Sequence, residues 1–277
     1  MPVMRHAAQS LGTTAILRQT SDAETLLARD LRWLAHLARH GPLPSTHLLD
    51  LTRDTHRCRD TGLRRLRTLR DAGWLRLPPQ QRQTARAEFN PFVYDLTPKA
   101  FAELKHRDIE QGAVRPTGHW WHAFAIAQAT SRIEIDGRAK GIDYIPAATI
   151  LVIKGASYAL PLPGNRRLIP DQIFALKYPD GFLTYALEVD RGTEPVTSRT
   201  ARKSLASSVQ AYAEAFERRL FQAHYGIKSE LISLRAVQDG ARAEQLKKLV
   251  SRQPLELQSR LSICVGAPDP GLLRPQV

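Results

Sequence analysis

The stretch from Leu168 to Thr193, LIPDQIFALKYPDGFLTYALEVDRGT, constrains the chain most. Ile169, Ile173 and Ala175 on one side and Phe182, Leu183, Tyr185, Leu187 and Val189 on the other are residues that strands favour. Between them Tyr178-Pro179-Asp180-Gly181 is a turn signal: proline presets φ and glycine accepts positive φ. The spacing predicts a β-hairpin. Asp171 opens its first strand. Glu188 and Asp190 close the second and, two residues apart, share a face. Asp171 and Glu188 are not expected to be directly opposite, so a bulge or a strongly twisted ribbon is expected to bring them together. Taken singly, the three acids also suit solvated strand ends. Together they offer hard oxygen ligands from two strands, which suits Mg²⁺ or Mn²⁺.

The chain of 277 residues is long enough for two domains, and 43% apolar content supplies packed cores. Forty Lys and Arg against 27 Asp and Glu give a net charge of +13, which favours a polyanionic partner, nucleic acid before membrane. Cys58 and Cys264 are far apart and belong to no CxxC pair, so neither a disulfide framework nor a zinc site is expected. No apolar run is long enough to span a bilayer and no signal peptide is evident, so a reducing cytosolic compartment is expected.

Residues 1–20 are polar and expected to be poorly ordered. Ser21 with Glu24 has capping-box spacing, and Leu26, Leu27, Leu31, Leu34 and Leu37 then recur at helical intervals until Gly41-Pro42 stops them. Ser45 is expected to cap a short helix carrying Leu48, Leu49 and Leu51. A third helix runs from His56 to Ala72 with Leu63, Leu66 and Leu69 inward. Trp74–Leu77 and Phe92–Leu96 read as a two-stranded ribbon around a polar loop, and Thr97-Pro98 opens another helix. This order is that of a winged helix-turn-helix over residues 21–105. Arg57, Arg59, Arg64 and Arg65 on the third helix, with Arg67 and Arg70, suit bidentate pairing with guanine and contact with phosphate. Arg82 and Arg86 at the wing suit the flanking backbone.

Residues 106–118 read as a linker, and 119–266 as a second domain followed by a tail, 267–277. A helix is expected from His119 to Ile133, a short strand at Ile142–Ile145, a helical turn at Ala147–Ile153 and a loop through Pro161, Pro163, Gly164 and Asn165. Arg166 and Arg167 suit either phosphate contact or solubility. His119 and His122 read as packing or surface residues, with contact to the acidic site the lesser expectation. After the hairpin, Thr197–Leu220 is expected as one long helix with Leu205, Val209, Tyr212 and Phe216 on its buried stripe. Glu230–Val237 (strand), Ala241–Val250 (helix) and Leu261–Val265 (strand) follow.

Pro170-Asp171, a spacer and Glu188-Val189-Asp190 resemble the PD-(D/E)XK nuclease superfamily, with Asp190 where a lysine usually stands. The larger pattern, a winged helix, then PD and EVDRGTE, then a Lys and a Tyr on a helix, resembles the replication-relaxation family of plasmid and integrative-element proteins from about Arg29 to Val237. The resemblance implies an α/β (α+β) core with a central mixed sheet flanked by helices, the first of them at His119. It implies Asp171 and Glu188 as ligands of Mg²⁺ or Mn²⁺, with the Val189 carbonyl as a possible addition. Lys203 would orient the attacking water, and Asp190 would act as a further catalytic or metal-binding acid or as a brace paired with Arg191. The function so implied is binding of duplex DNA with nicking or cleavage. The alternative is a non-catalytic accessory or initiator, or a transcriptional regulator, whose second domain is a platform for binding or dimerisation. Partners would be double-stranded DNA, a second copy of the chain and replication or mobilisation proteins.

Overall fold

The computed structural model describes residues 26–83, 91–198, 204–271 and 273. The first helix, α1 (Ala28–His40), starts where the Asp30 carboxylate accepts a hydrogen bond from the Leu27 N–H at 2.8 Å, satisfying a donor that the first turn leaves open. Its inner stripe, Trp33, Leu34 and Leu37, is fully buried. The Trp33 indole donates to Thr52 Oγ1 at 2.6 Å, which ties α1 to the end of the next helix. After β1 (Leu43–Pro44) comes α2 (Ser45–Leu51). Ser45 does not cap it: Pro44 holds the cap position, and the Ser45 N–H donates to the Phe92 carbonyl at 2.8 Å. A 3-10 turn at Arg53–Thr55 leads to α3 (Arg59–Asp71), which buries Leu66 and Leu69.

Gly62 lies inside α3, where glycine is unfavourable by about 1 kcal/mol relative to alanine. A Cβ there would sit 2.4 Å from Cδ2 of buried Leu49 on α2, so the glycine permits close approach of the two helices. Gly62→Ala is expected to lose stability on balance: overpacking of about 1–3 kcal/mol exceeds the propensity gain. A higher urea midpoint for the variant would show that Leu49 repacks freely.

β2 (Leu75–Arg76), α4 (Pro79–Gln83), β3 (Val93–Leu96) and α5 (Pro98–His106) follow. The expected two-stranded ribbon is a three-stranded antiparallel sheet in the order β1-β3-β2, because Leu43-Pro44 pairs with Tyr94 and Val93. The expected polar loop begins with α4. Gln81 is buried there because its amide closes both backbone groups of Val93, accepting from the N–H at 2.8 Å and donating to the carbonyl at 3.2 Å. The span read as a linker is tied to both halves: Ile109 packs on the α1–α3 core, and the Gln172 side chain donates to the Val114 carbonyl at 2.9 Å.

The second half comprises α6 (Trp120–Ala139), β4 (Asp143–Pro146), α7 (Ala147–Leu151), β5 (Leu160–Leu162), β6 (Arg166–Leu168), β7 (Gln172–Tyr178) and β8 (Gly181–Asp190). After these come α8 (Leu205–Glu217), α9 (Leu220–Tyr225), β9 (Leu231–Val237), α10 (Gly240–Val250), α11 (Leu255–Gln258) and β10 (Leu261–Val265). A central mixed sheet runs β10-β9-β8-β7-β4, antiparallel on the β4 side of β8 and parallel beyond it. Alternate residues face opposite layers. Phe174, Leu176, Tyr185 and Leu187 pack with Ile126 and Ile133 of α6, whereas Ile173, Ala175 and Ala186 pack with Tyr212, Phe216 and Phe221. The fold is α+β, with helices on both faces of this sheet.

Three local expectations change. The loop around Pro163 is a small hairpin, β5–β6, because Leu160, Leu162 and Leu168 find burial. The long helix expected from Thr197 is two: Ser204 caps α8 through its hydroxyl, and Arg219 turns left-handed at φ 51° before α9. The main hairpin also needs no bulge. Its two-residue turn sets Tyr178 opposite Gly181, and the pairing runs unbroken to Gln172 opposite Leu187. Asp171 immediately precedes β7, and the same register extended by one residue would set it opposite Glu188, contrary to the expectation of offset acids.

The two halves meet along α6. Ala127 joins the core of α1–α3, and a buried polar network crosses the seam. His40 of α1 contacts Glu134 Oε2 at 2.7 Å and Thr130 Oγ1 at 2.9 Å, Arg39 reaches Glu134 at 3.0 Å, and Arg138 pairs with the same carboxylate. Arg138 also donates to the Leu51 carbonyl at 2.6 Å. Among the described residues no helix is long and apolar enough to cross a membrane.

Candidate functional site

The hairpin puts two carboxylates near the adjoining ends of β7 and β8, Asp171 just before the one and Glu188 within the other, and each is held by its own donors. Asp171 Oδ2 accepts from the Val189 N–H at 2.8 Å, and Oδ1 meets His122 Nε2 of α6 at 3.0 Å. Glu188 is 5% exposed, and its Oε1 accepts from the Tyr212 hydroxyl of α8 at 2.9 Å. Burial, and then the Glu188 charge beside it, push the Tyr212 hydroxyl well above the ordinary tyrosine range despite the neighbouring Arg235, so it stays a donor. Behind the loop, the Tyr158 hydroxyl donates to the Pro170 carbonyl at 3.1 Å, fixing the residue before Asp171. Both acids line one cavity of about 540 Å³, together with His119, His122 and Arg235. His122, expected to be a packing or surface residue, is therefore a direct partner of Asp171.

Asp190 is placed differently from either expectation. Its partner is Arg242 of α10, not Arg191: Arg242 Nε donates to Oδ2 at 2.5 Å and Nη2 to Oδ1 at 3.3 Å, and the Gly192 N–H adds a bond at 2.8 Å. Arg242 also donates to the Glu194 carbonyl at 2.5 Å, so the pair fastens the chain leaving β8 to α10. Both Asp190 oxygens are thus engaged within the chain, in place of the expected pairing with Arg191. Val189, Asp190 and Arg191 also line a second cavity of about 590 Å³, bounded by His47 of α2 and Arg132 of α6.

Arg235 sits beside Glu188 in the register of β8 and β9 and is 3% exposed. Its Nε donates to Ser233 Oγ at 3.1 Å and Nη1 to Ser208 Oγ at 2.9 Å, while the guanidinium lies 4.5 Å from the centre of the Tyr212 ring. Arg235 was not among the expected site residues. The available signal was one arginine inside the apolar strand LISLRAV.

The basic residues of the first half separate into two groups. Arg64 and Arg67 on α3 and Arg59 at its start are exposed, as is Arg57, which precedes the helix. Arg65 is turned inward, pairing with fully buried Asp30 at 2.7 Å, and so holds α3 to α1. Arg166 pairs with Glu214 at 2.5 Å. Arg86 and Lys203 lie outside the described residues, and for Arg82 only the backbone is described.

Among the described residues the three His or acidic side chains with ligand atoms all within 4.8 Å of one another are His36, His40 and Glu134, not the hairpin acids. Arg39 and Arg138 already surround Glu134, so a cation there would meet two positive charges. This trio reads as part of the seam.

A family model for replication-relaxation proteins matches residues 34–231. The chain belongs to the replication-relaxation family. The match takes in α3, Asp171 and Glu188 of this replication-relaxation protein and stops short of Arg235 and Arg242. No curated protein matches it. A solved structure described as the SdaI restriction endonuclease has 11% identity to it, covering 82% of this chain and 84% of that chain with a TM-score of 0.22. A likeness of that size carries no argument about fold or activity.

Proposed function

We propose that this replication-relaxation protein binds duplex DNA through its first half and acts on the phosphodiester backbone at Asp171 and Glu188 with a divalent ion. The observation that carries the reading is that Asp171, just before β7, and Glu188, near the end of β8, line one cavity. The first half has the element order of a winged helix-turn-helix. Helix α3 presents Arg59, Arg64 and Arg67, with Arg57 just before it, to a major groove, and the net charge of +13 supports a polyanionic partner. The second half is read as PD-(D/E)XK-like.

The donor chemistry fits Mg²⁺ or Mn²⁺: both acids offer oxygen, and their holding bonds orient them in advance. A bound ion supplies a Lewis acid for a phosphate oxygen and a more acidic bound water. The residues of the chain position these groups. Val189 and His122 fix Asp171, Tyr212 fixes Glu188, and Asp190 with Arg242 closes the end of β8. Lys203 is proposed to orient the water.

A second reading has one observation in its favour. Asp190, with its carboxylate committed to Arg242, stands where the superfamily carries lysine, which suits a non-catalytic platform of an initiator or mobilisation complex, or a dimerising regulator. Incubation with supercoiled plasmid and Mg²⁺ or Mn²⁺ separates the two. Nicking is expected in wild type, with a loss of about 10²-fold or more in Asp171→Ala and Glu188→Ala. Equal nicking in those variants, or none in wild type, rejects the catalytic reading. Joint replacement of Arg57, Arg59 and Arg64 by alanine is expected to weaken duplex binding and flatten its salt dependence. Unchanged binding would reject α3 as the reader.

A further inference from the structure

We infer that Arg235 anchors a phosphate oxygen in the cavity beside Asp171 and Glu188, supplying from β9 the positive charge that Asp190 replaces on β8. The inference rests on the reading of that cavity as a phosphodiester site. Buried guanidinium groups ordinarily pair with carboxylates, because removing the charge from water is costly. Arg235 departs from this. Its hydrogen-bond partners are the neutral hydroxyls of Ser208 and Ser233, and among the described residues no carboxylate lies within 4 Å of its nitrogens in an ion pair. Nη2 is buried and, among the described residues, has no hydrogen-bond partner. An unsatisfied N–H on a buried cation needs an explanation, and an anion that arrives later is the simplest one.

Three further observations locate that anion. Arg235 lines the same cavity as Asp171 and Glu188. It is level with Glu188 across the β8–β9 pairing, so both side chains are on the same face of the sheet. Its guanidinium carbon lies over the Tyr212 ring, 4.5 Å from the centroid, and the two serines fix the Nε and Nη1 edges. This leaves one fork nitrogen for a phosphate oxygen, which guanidinium geometry suits. The alternative is that Arg235 only packs against Tyr212.

The test measures binding of inorganic phosphate and of a 5′-phosphorylated thymidine dinucleotide by calorimetry, each with Mg²⁺ and with chelator. Wild type, Arg235→Gln and Arg235→Lys are compared. Arg235→Gln is expected to bind about tenfold or more weakly, with Arg235→Lys between it and wild type. Binding of the dinucleotide but not of free phosphate would assign the site to a nucleic-acid strand. If Arg235→Gln does not fold, the ¹⁵N-labelled Arg235 Nε–H resonance of wild type replaces it and is expected to shift on addition of phosphate or of the dinucleotide, whichever binds. Equal affinity in Arg235→Gln, no binding by wild type, or an unmoved resonance would assign Arg235 to packing alone. Mn²⁺ titration of wild type and Asp171→Ala separates the two readings. Absent Mn²⁺ binding with Arg235-dependent phosphate binding removes the metal and leaves the anchor. Mn²⁺ binding lost only in Asp171→Ala, with phosphate affinity unchanged in Arg235→Gln, does the reverse.

Discussion

Glu134→Ala is expected to destabilise the folded chain by about 3–5 kcal/mol, the range found when one partner is removed from a buried charge network. Glu134 is 1% exposed and accepts from His40, Arg39 and Arg138, with His36 Nδ1 3.7 Å away. Burial alone would raise its pKa. The hydrogen bond from His40 and the charges of His40, His36 and Arg39 outweigh that and hold the carboxyl well below the usual carboxylate range. Removing it leaves the Arg39 and Arg138 guanidinium groups facing a small void without their counter-charge, although Arg39 keeps Glu110 at 2.5 Å. Because Arg39 and His40 belong to α1 and Glu134 to α6, the loss should fall on the seam between the halves. Thermal unfolding should drop by roughly 10 °C for a chain of this size. Protease cutting in residues 107–119 should rise. A variant within 1 °C of wild type would show that apolar packing of α6, not the network, holds the halves together.

Acid is expected to weaken the same seam well before it titrates surface carboxylates. Burial pushes the His36 imidazole down to about 3 and His47, which bonds Ser131 of α6 at 2.8 Å, down to about 4, with the charge of Arg132 adding to the second shift. In the unfolded chain both histidines take a proton near pH 6.5. Between about pH 6.5 and 4 the unfolded state therefore binds more protons than the folded one, and stability falls as pH falls. The contribution is fully present above about pH 6.5. Each histidine gives a limiting slope of about 1.4 kcal/mol per pH unit, reached only below the unfolded pKa, so the two together remove on the order of 4–5 kcal/mol between pH 6.5 and 4.5. Glu134 acts in the same direction at lower pH, since its depressed carboxyl stabilises the fold above the unfolded carboxylate range. Urea midpoints at pH 7.5, 6.5, 5.5 and 4.5 would show the decline, and His36→Gln with His47→Gln should flatten it. A midpoint constant from pH 7.5 to 4.5 in wild type would contradict the burial argument.

Much of the architecture was legible because it is written in local periods. The Tyr178–Gly181 turn and the apolar runs beside it announce the hairpin, and Leu34 and Leu37 announce the inner face of α1. Where the reading failed, competing local chemistry was the cause. The Ser204 hydroxyl starts α8 later than the apolar stripe suggests, and left-handed Arg219 divides a stripe that continues through Leu220. At the candidate site the acids themselves were readable. The offset expected between Asp171 and Glu188 was wrong because a two-residue turn makes the pairing symmetric about Pro179 and Asp180.

The sequence by itself determined the basic character, the main helices and strands, the hairpin and the identity of its acids, since charge, turn chemistry and side-chain alternation act over a few residues. Only the tertiary structure decided which charges meet. Asp190 finds Arg242 across 52 residues, His40 finds Glu134 across 94, and Arg235 comes to lie beside Glu188 with its Nη2 unpartnered among the described residues. Periodicity tells which face of a helix or strand is inward. It does not tell which other face will be opposite, because that depends on how whole layers pack and on long polar side chains reaching across the seams between them.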